Sequence, residues 1–277
     1  MTPSRLTHFR SAGLTFDVRD SGPLDGPVVV ALHGFPQTSS SWDAVTPLLT
    51  DAGYRVLAPD QRGYSPGARP AAVSAYRTDA LCADVLALAD AAGAERFHLL
   101  GHDWGAVVAW VLAATRPDRV ATLTAVSVPH PGAMVRALAG TQALRSWYMA
   151  FFQLHAVPEL LLRAGGGVGA RAMLRLAGHP DPAAAAAVLA ERRTATGALN
   201  WYRALRLAGR TSVPPVTVPT LYVWSDADAA LGRRGAEGTA RHVSGPYRFE
   251  VLHGVSHWVP EERPVELAGL VLERLRT

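Results

Sequence analysis

From Pro27 to Val128 the chain alternates short β-branched apolar runs with longer segments whose apolar residues recur at helical spacing. That alternation is the signature of parallel βαβ units, a sheet covered by helices on both faces. It predicts strands over Val28–Leu32, Arg55–Ala58, Phe97–Leu100 and Leu123–Val128, with helices near Ser41–Ala52, Ala75–Ala92 and Trp104–Arg116 between them. Leu6–Phe9 and Leu14–Arg19 read as an antiparallel pair at the sheet edge. After Pro129 the pattern changes to Leu, Ala and Arg at helical spacing, broken by Gly165, Gly166 and Gly167, and no strand is expected until Pro219. Leu221–Trp224 and Phe249–Leu252 then resume the buried strands, and a closing helix is expected over Val259–Leu275. The division that follows is an α/β core formed by residues 1–129 and 213–277, interrupted by an inserted helical subdomain over residues 130–212.

At 277 residues, with 49% apolar and 18% charged positions, the chain can bury a substantial core without covalent staples. A single cysteine, Cys82, excludes an internal disulfide framework and a multi-thiolate zinc site, so a reducing compartment and an ordinary packed thiol are expected. No secretory signal is read at the N-terminus and no apolar run is long enough to span a bilayer, which points to a cytoplasmic protein without a membrane span. All 27 basic residues are arginine, which rules out lysine Schiff-base chemistry. Residues 130–212 carry 10 Arg against Glu159, Asp181 and Glu191. With no aromatic-basic stripe beside them, these arginines read as solvent faces of helices, and no nucleic-acid partner is expected.

The chemistry-bearing segments sit at strand ends. Gly101-His102-Asp103-Trp104-Gly105-Ala106 follows a strand directly and opens a helix, the context of a nucleophile elbow, with Asp at the apex in place of Ser. Such a turn is so sharp that the flanking positions must be small. His33-Gly34-Phe35-Pro36 follows the strand Val28–Leu32, where the backbone N–H of Phe35 can serve with that of Trp104 as an oxyanion hole; Phe35-Pro36 is a candidate cis bond. Ser256-His257-Trp258 lies beyond Phe249–Leu252, making His257 the candidate base. The acid is expected after Leu221–Trp224, where Asp226 and Asp228 compete and Asp228 is preferred. The other strand end that could hold an acid presents Ser127, Val128, Pro129 and His130, with no carboxylate. His33 and His102 read as supporting residues.

Together with Asp60-Gln61-Arg62-Gly63-Tyr64, these segments resemble the α/β-hydrolase-fold epoxide hydrolases over nearly the entire chain. The resemblance implies that fold, a mostly parallel central sheet flanked by helices with an inserted helical lid. It implies conversion of an epoxide and water to a vicinal diol through an alkyl ester on Asp103, hydrolysed by water that His257 and Asp228 activate. It further implies two lid tyrosines that hold the epoxide oxygen; Tyr148 and Tyr202 occupy the matching segments. A small-molecule pocket of Phe35, Pro36, Trp104, Phe152 and Trp258 is expected, with neither cofactor nor metal, and a homodimer is compatible with it. The acid segment departs from the family in having Ser225 where Gly is frequent and Ala229 where Pro is common. Haloalkane and fluoroacetate dehalogenases share the Asp nucleophile, but the former usually present Asn where this chain has Phe35 and the latter Arg where it has Trp104. An esterase would need Ser in place of Asp103. A noncatalytic receptor on the same fold remains the alternative from another class.

Overall fold

The computed structural model describes residues 4–207 and 213–276. Eight strands form one sheet: β1 (His8–Ser11), β2 (Leu14–Ser21), β3 (Val28–Leu32), β4 (Arg55–Pro59), β5 (Phe97–His102), β6 (Val120–Val126), β7 (Thr220–Ser225) and β8 (Tyr247–Leu252), in the spatial order β1-β2-β4-β3-β5-β6-β7-β8. The β1–β2 and β2–β4 pairs are antiparallel and every other pair is parallel, as the sequence pattern predicts. Although β3 is apolar throughout, its two-residue period divides the core. Val28, Val30 and Leu32 join one hydrophobic cluster, while Val29 and Ala31 join the other. Helices α2 (Thr78–Ala91) and α3 (Trp104–Thr115) cover the first face; α1 (Thr46–Asp51) and α12 (Pro264–Leu275) cover the second.

Three helices differ from their sequence expectation, each for a local reason. The segment expected over 41–52 is a short turn of 3₁₀ helix, Ser39–Trp42, followed by α1, because Pro47 lacks an N–H and starts a helix more readily than it continues one. The segment expected over 75–92 breaks at Arg77, which is extended, so that Tyr76 is buried and its hydroxyl donates to the Pro70 carbonyl. Pro264 likewise divides the closing helix into α11 (Val259–Glu262) and α12. Cys82 is buried in α2 and burial pushes its thiol up to about 12, in keeping with a packed, unreactive side chain.

Between β6 and β7 the described chain is helical: α4 (Pro131–Ala137), α5 (Gln142–Arg145), α6 (Trp147–Phe151), α7 (Val157–Leu176), α8 (Pro182–Val188) and α9 (Arg192–Ala204). The expected lid boundary at residue 212 lies outside the described residues. The glycine break falls inside α7, where Ala164 to Gly167 leave helical geometry. The arginines of this region are not all on solvent faces. Arg203 is buried, donating to both carboxylate oxygens of Glu159 and to the carbonyls of Phe152 and Leu154, because α9 has to be tied to the segment that precedes α7. A further helix, α10 (Arg233–Gly238), follows β7. Among the described residues no helix is long and apolar enough to cross a membrane.

Candidate active site

Asp103 stands at the end of β5 with φ +50° and ψ −119°, a conformation that costs a non-glycine residue roughly 1–3 kcal/mol. The surrounding glycines make this turn sterically feasible. A Cβ on Gly101 would lie 2.4 Å from the Gly105 carbonyl oxygen, one on Gly105 would lie 2.2 Å from that of Leu32, and one on Gly34 would lie 2.4 Å from Asp103 Cβ. Strand, helix and the loop after β3 thus meet at the Asp103 carboxylate. Its Oδ1 accepts a 2.8 Å hydrogen bond from the Phe35 N–H, while the Trp104 N–H opens α3, where the first amides have no partner inside the helix. Phe35-Pro36 is cis.

His257 lies between two carboxylates. Its Nδ1 is 2.7 Å from Asp228 Oδ2, and its Nε2 is 3.4 Å from Asp103 Oδ2. Burial alone would lower the His257 pKa, but the charges and hydrogen bonds of Asp228 and Asp103 raise it to about 10. Burial opposes ionisation of Asp103 too, yet the hydrogen bond and charge of His257 hold its carboxyl below the usual range. Asp228 is fully buried at its side chain, with Oδ1 accepting from the N–H groups of Ala230 and Leu231. Asp226, its sequence competitor, faces the other way and bonds His253 Nδ1 and the Gly254 N–H.

The carbonyl of His257 is held as firmly as its ring. Ser127 Oγ donates to it at 3.0 Å, and His102 Nε2 lies 2.9 Å from it. Ser127 therefore occupies the second acid position with a hydroxyl that braces the histidine loop. Ser225 has a comparable use: its hydroxyl donates to the Ser256 carbonyl at 2.7 Å. His33 accepts from the Gln61 N–H at Nε2 and donates from Nδ1 to the Gly34 carbonyl, bracing the loop that carries Phe35.

Tyr148 on α6 and Tyr202 on α9 come together with ring centroids 6.1 Å apart. Gly63 and Gly197 bring α9 down onto the core: a Cβ on Gly197 would lie 2.6 Å from Gly63 Cα, so the two backbones touch five residues before Tyr202. The Trp201 indole then donates to the Arg62 carbonyl at 2.8 Å. Burial raises the pKa of both phenols above the ordinary tyrosine value, and the nearby Asp103 charge adds to the effect. Both remain protonated donors at neutral pH.

A cavity of about 480 Å³ is lined by Asp103, His257, Tyr148 and Tyr202, together with Phe35, Pro36, Phe152 and Trp258. Trp104 is not among its lining residues. The ring lies edge-on to Tyr202 at 5.0 Å and against Trp201 at 5.6 Å, so its side chain backs the tyrosine instead of facing the cavity. The far wall, formed by Leu161, Leu162, Met173 and Leu174 from the two arms of α7, has no counterpart among the residues expected from sequence. Trp258 is fixed by its indole N–H, which donates to the Ala177 carbonyl, and by the His179 ring at 4.2 Å.

Residues 27–264 match the family described as alpha/beta hydrolase fold. The chain is 38% identical to AB hydrolase superfamily protein YfhM of Bacillus subtilis, covering 95% of each protein. It is equally 38% identical to Epoxide hydrolase A of Mycobacterium tuberculosis, over 95% of this chain and 94% of that one. The crystal structure of Epoxide Hydrolase A from Mycobacterium thermoresistibile superposes with a TM-score of 0.84 at 34% identity, covering 99% of this chain and 98% of that one. By fold, by sequence match across its length and by solved relatives, the chain belongs to the α/β-hydrolase-fold epoxide hydrolase family.

Proposed function

We propose that this protein hydrolyses a small-molecule epoxide to a vicinal diol through a covalent ester on Asp103, with residues 130–212 serving as a lid over the core of 1–129 and 213–277. The observation that carries this reading is that one cavity is lined by a depressed-pKa carboxylate, a histidine between two carboxylates, and two protonated phenols. Similarity to proteins named epoxide hydrolase supports it.

In the first step an Asp103 oxygen attacks a ring carbon, the C–O bond of the epoxide breaks, and Tyr148 and Tyr202 donate hydrogen bonds to the departing oxygen. Acid assistance of this kind typically supplies about 10²- to 10⁴-fold. Esterification removes the negative charge that helped keep His257 protonated, so the imidazolium gives up its proton, balancing the one taken by the ring oxygen. Neutral His257, oriented by Asp228, then takes a proton from water as the hydroxide attacks Cγ of Asp103. The oxyanion that forms is held by the N–H groups of Phe35 and Trp104. Collapse breaks the ester bond, the departing alkoxide takes the remaining water-derived proton, and the Asp103 carboxylate and His257 imidazolium are restored.

The test is Asp103→Asn assayed on styrene oxide, with small haloalkanes in parallel. The amide is nearly isosteric and a poor nucleophile, so the fold should persist while turnover is lost. Undiminished initial epoxide turnover by the variant would overturn the nucleophile assignment, and halide release by the parent without diol formation would overturn the substrate class.

A further inference from the structure

Behind His257, on the side away from the substrate cavity, runs a chain of buried polar groups that the reaction above does not use. Gln37 is 4% exposed, and its side-chain amide lies between Glu261 Oε1, with which it is hydrogen-bonded, and His102 Nδ1 at 3.0 Å. His102 is fully buried and its Nε2 lies 2.9 Å from the His257 carbonyl oxygen. Glu261 is only partly buried as a residue, yet its Oε2 has essentially no exposure and no partner from another residue.

Counting protons along this chain leaves two arrangements, one that satisfies every contact and one that leaves a contact unmet. Burial first, and the neighbouring His257 second, push His102 down to about 3, so it is neutral with a single ring N–H. A carbonyl can only accept; the contact with His257 is therefore satisfied when that N–H is on Nε2, which leaves Nδ1 as an acceptor. Gln37 must then turn its NH₂ towards His102 and its oxygen towards Glu261, and that oxygen needs a donor. Protonated Glu261 supplies one. If Glu261 ionises, the amide has to present its NH₂ to the carboxylate and its oxygen to Nδ1. The single proton of His102 is then drawn to Nδ1, and a lone pair is left against the His257 carbonyl. The heavy-atom positions accommodate both orientations of the amide. Burial pushes the Glu261 carboxyl up to about 7, against the Gln37 bond and its own backbone N–H.

We propose that Glu261, Gln37 and His102 form a protonation-dependent relay that positions His257: neutral Glu261 ends the relay in an N–H donated to the His257 carbonyl, and ionised Glu261 withdraws it. None of the three is a catalytic residue, since none faces the reacting atoms; all act through His257. The charged groups around Glu261 are His257, whose cation favours ionisation, and Glu262, whose anion opposes it. Those around His102 are His257, Asp103 and Asp228. Helix α11 also packs on the 39–42 turn, which has no ionisable side chain, and on α12, whose first-turn Glu266 is exposed.

This proposal rests on the reading of His257 as the base for ester hydrolysis, and its test has one readout that needs no turnover. Glu261→Gln cannot ionise and offers an NH₂ to the Gln37 oxygen, the orientation that satisfies every contact of the relay, and so holds it in the state that neutral Glu261 produces. With ¹⁵N-labelled histidine, the His102 signals of the parent should change from the Nε2–H form as pH rises through about 7, while those of Glu261→Gln stay in that form. With styrene oxide, ester hydrolysis should rise with pH in both proteins as His257 becomes neutral, but the parent should fall roughly fivefold behind Glu261→Gln over the same interval, the rate equivalent of losing a hydrogen bond of about 1 kcal/mol. Gln37→Leu should have a lowered kcat at every pH with kcat/KM unaltered, because only ester hydrolysis is slowed. Identical His102 titrations in parent and Glu261→Gln would overturn the relay, as would a Glu261→Gln protein that is folded but slow throughout. A parent in which His102 titrates as expected but styrene oxide is untouched would leave the relay standing and discard the epoxide reading.

Discussion

The His257 ring sits closer to Asp228 than to Asp103: Nδ1 to Asp228 Oδ2 is 2.7 Å, and Nε2 to Asp103 Oδ2 is 3.4 Å. The short contact fixes the tautomer and orientation of the imidazole, while the longer one is the contact that, in the proposed mechanism, gives way to a water after alkylation of Asp103. Asp228 is itself immobilised by two backbone donors and by a contact from α5, since Arg145 donates to its main-chain carbonyl at 2.9 Å.

Replacing Asp228 with Asn should therefore cost far more than replacing Asp226 with Asn. Loss of the orienting carboxylate disturbs both the tautomer of His257 and its charge, and in comparable triads the penalty reaches about 10⁴ in kcat. Asp226 bonds only to His253 and Gly254 at the surface, so Asp226→Asn should keep kcat within about twofold, the range of a surface change. Steady-state kinetics of the two variants on one epoxide checks the ranking; equal losses would mean that the acid had been wrongly chosen.

His257→Gln should separate the two chemical steps. Alkylation of Asp103 needs no base, whereas ester hydrolysis does, so the ester should accumulate. Mass spectrometry of acid-quenched protein should find the substrate mass added to the peptide containing Asp103. An unmodified peptide after prolonged exposure to a turned-over epoxide would count against the covalent route.

The two steps should also differ in their acid-side pH dependence. Asp103 is held ionised and the phenols protonated, so alkylation in a single turnover should be flat from pH ~5 to ~9, between the ordinary carboxylate and phenol ranges. Hydrolysis needs neutral His257 and should rise with pH. Its midpoint should lie below the value of about 10 set by two flanking carboxylates, because the ester has removed one of them. Rapid-quench measurements at several pH values distinguish the two profiles; a parallel rise of both rates would contradict this assignment.

Much of the core and part of the site are legible in the chain itself. Strands β3 to β8 announce themselves as short, largely apolar runs, and the elbow announces itself through Gly101 and Gly105, because only glycine fits against the neighbouring carbonyls. The chain narrows the acid to Asp226 and Asp228, with Asp228 preferred; both follow the same strand, and what separates them in the structure is which one turns inward to the N–H groups of Ala230 and Leu231. The cavity wall from α7 was hidden, since Leu161 and Met173 become neighbours in one wall only after the chain leaves helical geometry at Ala164 to Gly167. The side chain of Trp104 departs from the expected pocket wall because a sequence gives the position of a backbone N–H at an elbow more readily than the direction of the side chain. The burial of Arg203 is equally hidden in the sequence, as its partner Glu159 is 44 positions away.

That pair makes a stability prediction. Arg203→Ala removes the partner of Glu159 and also strips donors from the carbonyls of Phe152 and Leu154. Breaking a buried pair from one side typically costs about 3–5 kcal/mol, and replacing both residues costs less than the sum. Urea unfolding of Arg203→Ala, Glu159→Ala and the double variant measures the coupling. Strict additivity would show that the pair contributes nothing as a pair.

The phenols decide between an epoxide and a halide as the group released from carbon. An opening epoxide leaves as an alkoxide that must be hydrogen-bonded and protonated, whereas a halide departs as a stable anion and needs no proton. Tyr148 and Tyr202 line the same cavity as Asp103, and burial keeps both hydroxyls protonated. Replacing each with Phe retains the ring packing of Tyr202 on Phe35 and Trp104 while removing only the donor. Each single variant should lose part of the alkylation rate, because the second phenol still holds the oxygen. The double variant should lose about 10²- to 10⁴-fold, the contribution expected of general acid catalysis, with substrate affinity little changed. Single-turnover ring opening, measured beside substrate binding to the same proteins, separates the two effects. If the double variant opened epoxides as fast as the parent, the tyrosines would be packing residues and another displacement at saturated carbon would become the better account of Asp103.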